Sequence, residues 1–336
     1  MNSDVSISAE GSRPSAPLAV QSAARRTRPP YWIALALIPV LTITLLLGML
    51  ISSFNQPMTL LLLGSDGRTC DGPSRSDSIF VLHADPRHGT IRGLCLPRDL
   101  YVPLQGLPVR RTAKLNAALY YGDYYAKSKG IPAARETVSD IIGVPVDGTV
   151  VVRFGLLEKL VDSIGGVEIY FENPVMDPHF YYMTGGTPYV LRFEAGWNYL
   201  NGRRALDFVR MRKPDTDFGR MKRNRQLLSV IIARLESPAS WLHLPQLAPQ
   251  LPSEIDTDIG PLACLRLAWV FGRCASNGIV WDSIEKQDLL PGKLITGAQV
   301  LMPEPGVLKE AGRVLTGDQP LHLADAGSGM SDTVSR

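Results

Sequence analysis

Apolar runs interrupted by short polar clusters predict an α/β fold between residues 58 and 235. The run at 58–63 is apolar apart from Thr59 and ends at Gly64, which is typical of a buried central strand. Similar patterns predict strands at 78–84, 90–96, 148–154 and 167–171, and helices at 116–127, 132–142, 155–163, 202–210 and 220–235. This alternation favours a mixed central sheet flanked by helices.

A long apolar segment near the N-terminus predicts a membrane anchor. Residues 31–51 carry no charge, and at about 1.5 Å per residue they extend roughly 31 Å, the thickness of a bilayer core. Arg25, Arg26 and Arg28 precede the segment, which predicts a cytoplasmic N-terminus and an extracytoplasmic body. A cleaved signal peptide is the alternative. The run is longer than a signal h-region, however, and no small-x-small cleavage site follows it.

These patterns divide the chain into five predicted parts. They are a disordered cytoplasmic tail at 1–30, a transmembrane anchor at 31–53, the main α/β domain at 54–237, a small and mainly helical appendage at 238–318, and a loose tail at 319–336. Within the main domain, residues 173–188 are predicted to form a loop or lid, in which Tyr181 and Tyr182 could stack on a sugar.

Composition excludes several classes of protein. A hydrophobic fraction of 45% is too high for a disordered chain, and a net charge of +3 is too small for a general polyanion binder, so nucleic acid is not an expected partner. The positive charge is local, because residues 192–225 contain ten Lys or Arg against four Asp or Glu. The sequence carries no Walker loop, GxGxxG, nucleophile elbow or HExxH motif.

The four cysteines give no metal-finger spacing. Cys264 and Cys274 are predicted to share one helix, about 15 Å apart, which is too far for a disulfide. Cys70 and Cys95 flank a predicted strand and could approach each other.

The basic window ends in a dense run of guanidinium groups. Arg210 and Arg212 precede a predicted turn, and Asp217, Arg220 and Arg223 lie in that turn and the helix that follows. A guanidinium presents a planar fork of donors to phosphate oxygens, so several that converge on one pocket suit a pyrophosphate. A solvated basic helix face is the alternative interpretation.

Polar clusters also stand at the ends of three predicted strands. Asp66 follows the first strand, Arg75 and Asp77 precede the second, and Arg98 and Asp99 follow the third. Residues at one edge of a sheet converge in space, so two carboxylates would lie beside cations. Such a set can hold Mg²⁺ and the phosphates that it bridges. Each residue alone also fits a local role, such as a turn cap or a surface ion pair.

The order of these motifs resembles that of the LytR-CpsA-Psr family. The motifs are LLLGSD at 61–66, RSDSI at 75–79, LPRD at 96–99, KLNAA at 114–118, VDSIGGV at 161–167, ALDFVRMR at 205–212 and DFGR at 217–220. The resemblance covers residues 58–235. One departure is Asn224, since the family typically carries Gln after the arginine that corresponds to Arg223; here Arg225 and Gln226 follow.

Members of that family are membrane-anchored phosphotransferases that move glycopolymers from a polyprenyl-pyrophosphate carrier to the cell wall, usually to a peptidoglycan hydroxyl. The resemblance implies that Asp66 and Asp77 lie at a magnesium and pyrophosphate site. The residues implied to contact the phosphates, or to support those that do, are Arg75, Arg98, Asp99, Lys114, Asn116, Arg210, Arg212, Arg220, Arg223 and Asn224. Among them Asp77, Arg98, Asp99 and Arg220 are predicted to be catalytic, with Asp77 or Asp99 placed to act as general base.

Two other functions stay open on sequence alone. One is a hydrolase in which water replaces the sugar hydroxyl. The other is a non-catalytic sensor or scaffold that binds lipid-linked anionic glycans. Phosphoryl transfer needs fixed cations and a metal rather than a covalent nucleophile, which agrees with the absence of a nucleophile motif.

Overall fold

The structure is a computed structural model, and it describes residues 38, 39, 41–45, 48, 49, 52–65, 74–180, 189–211, 217–235, 237, 240, 242–274, 277–284 and 286–317. The chain divides into two units, Met1–Leu50 and Ile51–Arg336. In the first unit the described residues are helical. Among the residues that the structure describes, no helix combines the length and the apolar character needed to cross a bilayer. The predicted anchor at 31–53 lies partly outside the described residues, and both predicted tails lie wholly outside them.

The second unit alternates strands and helices along most of its length. The strands are β1 (Met58–Ser65), β2 (Ser76–Asp85), β3 (Thr90–Cys95), β4 (Tyr101–Leu104), β5 (Arg111–Lys114), β6 (Gly148–Arg153), β7 (Val167–Phe171), β8 (Val175–Phe180), β9 (Tyr189–Phe193), β10 (Gly196–Leu200), β11 (Ile255–Thr257), β12 (Ile279–Ser283), β13 (Leu289–Lys293) and β14 (Gln299–Pro303). The helices are α1 (Ala117–Tyr125), α2 (Gly130–Ile142), α3 (Phe154–Ser163), α4 (Gly202–Arg210), α5 (Asp217–Leu235), α6 (Leu251–Glu254), α7 (Pro261–Cys274) and α8 (Val307–Thr316), with short 3₁₀ helices at Leu244–Gln250 and Lys286–Asp288.

A mixed six-stranded sheet lies at the centre, in the order β11-β6-β1-β2-β3-β12. Strand β1 runs parallel to β6 and antiparallel to β2, β2 is antiparallel to β3, and β12 is parallel to β3. Leu61 and Leu63 of β1 are almost fully buried, because their strand has neighbours on both sides and side-chain layers on both faces. The prediction of an α/β fold with a mixed central sheet is confirmed.

Three hydrophobic cores form among the described residues. The largest core joins the sheet to helices α1, α2 and α8. The second core lies among strands β7–β10 and helices α3, α4 and α5. The third core packs α7 on the sheet. In the second core Gly202 lets α4 approach α3 closely, because a Cβ atom there would overlap the carbonyl of Glu158. Helix α5 begins beyond this contact, and its first turns reach the edge of the central sheet.

The structure differs from the prediction of a loop or lid at 173–188. Residues 175–180 form β8, which pairs with β9 in an antiparallel hairpin. In the sequence, Pro178 and the buried Asp177 interrupt the alternation of apolar residues, so the pattern does not predict a strand here. Residues 181–188, with Tyr181 and Tyr182, lie outside the described residues.

The region from residue 238 onward also differs from the predicted, mainly helical appendage. Strands β11 and β12 join the central sheet at its two edges, and β13 and β14 pair with each other. Leu308, Ala311 and Leu315 of α8 belong to the largest core. This region is therefore built into the central sheet and its core.

Candidate functional site

Side chains from separate parts of the chain meet at one edge of the central sheet. Ser65, at the end of β1, pairs with Ser76, at the start of β2, and Asp77 follows. Strand β3 runs antiparallel to β2, so its end lies at the same edge, and Arg98 and Asp99 follow it. We call the resulting pocket the strand-end crevice. Its lining residues are Asp77, Ser78, Ile79, Cys95, Leu96, Pro97, Arg98, Asp99, Asp217, Phe218, Arg220, Met221, Asn224 and Leu301.

Arg98 lies at the centre of the polar contacts in this crevice. Its Nη1 donates to Asp77 Oδ1 at 2.8 Å, and its Nη2 donates to Asp217 Oδ1 at 3.3 Å. Its Nε lies 3.5 Å from Asp99 Oδ2. Three carboxylates, from β2, from the turn after β3 and from α5, thus surround one guanidinium and fix its plane.

Helix α5 contributes one face to the crevice. Asp217, Arg220, Met221 and Asn224 stand at positions i, i+3, i+4 and i+7, which lie on the same side of an α-helix. Arg220 is buried, and its Nη2 lies 3.0 Å from Asp217 Oδ1. The first turn of a helix carries partial positive charge, which favours both the Asp217 carboxylate and an anionic ligand.

The β4–β5 hairpin brings Lys114 and Asn116 to the same place. Tyr101 pairs with Lys114, and Lys114 Nζ donates to Asp99 Oδ1 at 2.5 Å. The backbone of Asn116 joins two parts of the site, because its N–H donates to the carbonyl of Arg98 and its carbonyl accepts from the N–H of Ser76. Its side-chain Oδ1 is buried without a hydrogen-bond partner among the described residues.

The charges of the crevice shift the pKa of two members. Burial alone would lower the pKa of Arg98, but the carboxylates of Asp217, Asp99 and Asp77 outweigh it and raise that pKa. Burial alone would raise the pKa of Asp99. Hydrogen bonding to Lys114 and Asp217 and the charges of Lys114 and Arg98 outweigh burial, so the pKa of Asp99 lies below its ordinary value. Both groups are therefore held in their charged forms.

The lining of the crevice also includes Cys95, Ser78 and Asn224. Burial raises the pKa of the Cys95 thiol to about 12, so the thiol is neutral and unsuited to act as a nucleophile. Asn224 Nδ2 donates to Ser78 Oγ at 2.7 Å. The other amide atom, Asn224 Oδ1, is buried and has no partner among the described residues, so it can accept a hydrogen bond from a ligand.

Three predicted arginines have other surroundings. Arg75 is exposed, and its guanidinium lies 5.6 Å from the centre of the Tyr120 ring. The Arg210 guanidinium lies 5.8 Å from the centre of the ring of Phe154, the first residue of α3. Arg223 is buried, and its Nη2 donates to the Met211 carbonyl at 2.6 Å. That bond joins α5 to the end of α4.

The structure brings together Asp77, Arg98, Asp99, Lys114, Asn116, Arg220 and Asn224, as the sequence predicts. Asp66 and Arg212 lie outside the described residues.

Asp217 was not among the predicted site residues, although it contacts both Arg98 and Arg220. The sequence feature that could have identified Asp217 is its position, since it is a carboxylate three residues before Arg220 in a basic run. Among the described residues, no group of three or more His, Cys, Asp or Glu side chains is arranged to hold a metal ion.

Comparisons with known proteins agree with this architecture. The sequence model described as the LytR_cpsA_psr family matches residues 47–310. Over 246 residues the chain is 29% identical to "Polyisoprenyl-teichoic acid--peptidoglycan teichoic acid transferase TagV" of Bacillus subtilis (strain 168). The aligned region covers 71% of this chain and 59% of the relative. It is 31% identical over 185 residues to the transferase named TagU of Bacillus cereus (strain AH820), covering 54% of each protein. The chain thus spans less than two thirds of the length of these curated relatives.

Solved structures show the same fold. The crystal structure of B. subtilis TagV superposes with a TM-score of 0.62 and 27% identity, covering 78% of this chain and 97% of that one. A structure described as TagT bound to LIIa-WTA superposes with a TM-score of 0.59 at 20% identity, covering 79% of this chain and 92% of that one.

Proposed function

Since this chain belongs to the LytR-CpsA-Psr family, we propose that it transfers a phosphate-linked glycopolymer from a polyprenyl-pyrophosphate carrier to a hydroxyl of peptidoglycan. The names of relatives TagV and TagU state a teichoic acid transferase activity for those proteins. The observation that carries the proposal is the strand-end crevice, where Arg98, Lys114 and Arg220 meet three carboxylates at one edge of the sheet.

The crevice is suited to stabilise charge on a transferring phosphate. In phosphoryl transfer, negative charge spreads over the non-bridging oxygens, and fixed donors lower the barrier if they need no rearrangement during the reaction. Asp77 and Asp217 hold the two Nη atoms of Arg98, and Asp217 also holds Arg220. Both guanidinium groups are therefore positioned before a substrate arrives, and a guanidinium is a donor that suits phosphate oxygens.

The proposal also places magnesium at this edge of the sheet. Carboxylate oxygens are hard ligands, and Mg²⁺ is usually bound by one or two of them together with substrate phosphates and water. Asp77 would hold the ion together with Asp66, which follows directly after Ser65, the residue paired with Ser76. When bound, the ion would neutralise part of the charge of the pyrophosphate.

Asp99 is poorly suited to take the proton from the acceptor hydroxyl, which leaves Asp77 as the candidate by its place in the crevice. A general base works best when its pKa is near the working pH. Lys114 and Arg98 hold the pKa of Asp99 below its ordinary value, which makes it a weak base. In this proposal Asp99 positions Lys114 and Arg98, and the buried Oδ1 of Asn224 accepts a hydrogen bond from the substrate.

The proposal includes a membrane anchor at residues 31–53, with the second unit outside the cytoplasm. The support is the uncharged segment 31–51 and the three arginines that precede it. A lipid-linked donor and an anchored enzyme are confined to the same membrane surface, which raises their encounter rate.

The test is a reaction of the full chain, reconstituted in lipid vesicles, with a polyprenyl-pyrophosphate-linked glycan and peptidoglycan. We expect glycan to become attached to peptidoglycan with release of the lipid phosphate. Lipid phosphate released without attachment would instead establish a hydrolase, and binding without any product would establish a sensor. Arg98→Ala should abolish attachment, whereas Arg192→Ala, which removes an exposed arginine paired with Glu194, should not.

A further inference from the structure

The outward side of helix α7 is apolar along most of its length. Leu262 and Leu265 are each 60% exposed, and Trp269 is 54% exposed. They stand at positions i, i+3 and i+7, which form one stripe on an α-helix. We call Leu262, Leu265 and Trp269 the α7 apolar stripe. Exposed Ala268 and Gly272 lie beside it and add no charge.

The opposite side of the same helix already completes the fold. Val270 and Cys274 are buried against Met58, Ala84 and Ile91 of the central sheet. The α7 apolar stripe therefore has no part in packing the helix onto the sheet. An exposed apolar patch of this kind marks a surface that another phase or molecule covers.

The position of the stripe indicates what covers it. The Phe54 ring packs edge-on against Trp269, with ring centroids 6.5 Å apart. Arg266 Nη2 donates to the carbonyls of Pro57 at 3.0 Å and Gln56 at 3.4 Å. These contacts fix α7 against the residues that directly follow the uncharged segment 31–51.

We propose that the α7 apolar stripe docks on the membrane surface from which the chain emerges. This inference rests on the membrane anchor of the proposed function. Leu and Trp side chains partition into the interface between headgroups and acyl chains. Arg273, which is exposed in the last turn of α7, can meet anionic headgroups.

The helix is suited to lie in the interface rather than to span the bilayer. Its 14 residues extend only about 21 Å, less than the roughly 30 Å of a hydrocarbon core. A single anchor leaves a domain free to rotate about it. A second attachment through α7 fixes which side of the domain faces the lipid, and so fixes the height and direction of the strand-end crevice relative to a lipid-linked donor.

Trp269 provides a direct test, and Trp197 provides a matched control, because it is 55% exposed and lies on β10. The full chain is reconstituted in vesicles of phosphatidylcholine and phosphatidylglycerol with or without brominated acyl chains. The emission of each tryptophan is obtained by difference, using the variants Trp269→Phe, Trp197→Phe and Trp32→Phe. Phe at 269 retains the aromatic contact with Phe54. Aqueous iodide is the second quencher.

We expect brominated lipid to remove most of the Trp269 emission and iodide to leave it unchanged, with the opposite result for Trp197. If Trp269 responds to the two quenchers as Trp197 does, the inference is overturned. It is also overturned if Trp269 resists both quenchers, because a protein surface, such as a second copy of the chain, then covers the stripe. The Trp32 emission tests the membrane anchor separately. If brominated lipid does not quench Trp32, the proposed anchoring fails as well. If brominated lipid quenches Trp32 but not Trp269, only the α7 docking is refuted.

Discussion

The carboxylate of Asp217 connects Arg98, which follows strand β3, with Arg220, one turn further along helix α5. Asp217 Oδ1 lies 3.3 Å from Arg98 Nη2 and 3.0 Å from Arg220 Nη2. The two arginines are more than a hundred residues apart in the chain, and this contact sets their relative positions.

Asp217→Asn should lower turnover without unfolding the protein. The amide keeps the size of the side chain but removes the charge that holds both guanidinium groups. Because Asp217 is 41% exposed, we expect the lower end of the effect of losing a charged hydrogen bond, about 1.5 kcal/mol or roughly tenfold in kcat. Steady-state kinetics on the reconstituted chain checks this. Glu194→Gln, which neutralises the exposed partner of Arg192, is the control and should retain wild-type kcat.

Arg220→Ala should have the larger effect on turnover. Its guanidinium is buried in the crevice, and the proposed function places it against the transferring phosphate. Removal of one preorganised donor costs about 100- to 1,000-fold in kcat. Thermal unfolding must be measured in parallel, because the residue is buried. A folded Arg220→Ala protein with wild-type kcat would contradict the placement of this residue.

Arg223 allows a comparison three residues further along the same helix. The sequence predicts a phosphate contact, but in the structure its Nη2 donates to the buried Met211 carbonyl. Arg223→Met should therefore lower the free energy of unfolding by about 1–3 kcal/mol, because the carbonyl loses its partner. We expect the kcat of the folded protein to change little. Urea unfolding and kinetics on the same preparation separate the two effects, and a loss of kcat at unchanged stability would restore the phosphate role.

Asp99 should make stability depend on acid pH. Its pKa in the folded protein lies below the ordinary value of 3.8, so its ionised form stabilises the fold at pH values above 3.8, and this contribution is lost as the pH falls through the lowered pKa. Wild type should be more stable than Asp99→Asn at pH 7, and the difference should shrink below pH 4. Urea unfolding at several pH values measures this. A difference that grows on acidification would show that the shift has the opposite sign.

Magnesium dependence should be linked to Asp77. We expect a chelator to abolish transfer and Mg²⁺ to restore it. Asp77→Asn should raise the Mg²⁺ concentration needed for half-maximal turnover, because a neutral amide binds the ion more weakly than a carboxylate. Asp140→Asn, which changes an exposed carboxylate on α2 that accepts from Gln105, should leave the Mg²⁺ response unchanged. Full activity in excess chelator would contradict the proposed cofactor.

The meeting of Asp77, Arg98 and Asp99 was predictable because strand ends at one sheet edge converge, and the apolar run of β1 identified that sheet. The face of α5 was predictable in part, since Arg220 and Asn224 are four residues apart. The role of Asp217 was not predictable, because one carboxylate in a basic run is equally consistent with simple charge balance. Strands β11 and β12 have only three and five residues, and they are defined by pairing with distant partners rather than by local pattern.

Strands β11 and β12 form the two outer positions of the central sheet. An unpaired outer strand offers its backbone N–H and C=O groups to any extended polypeptide, and short outer strands limit that risk. A protease that cut the chain between α6 and β11 would therefore leave β6 and β3 open to pairing with other molecules. The C-terminal part of the chain thus protects the protein against aggregation, and a trimmed form should precipitate although it keeps every polar residue that lines the crevice.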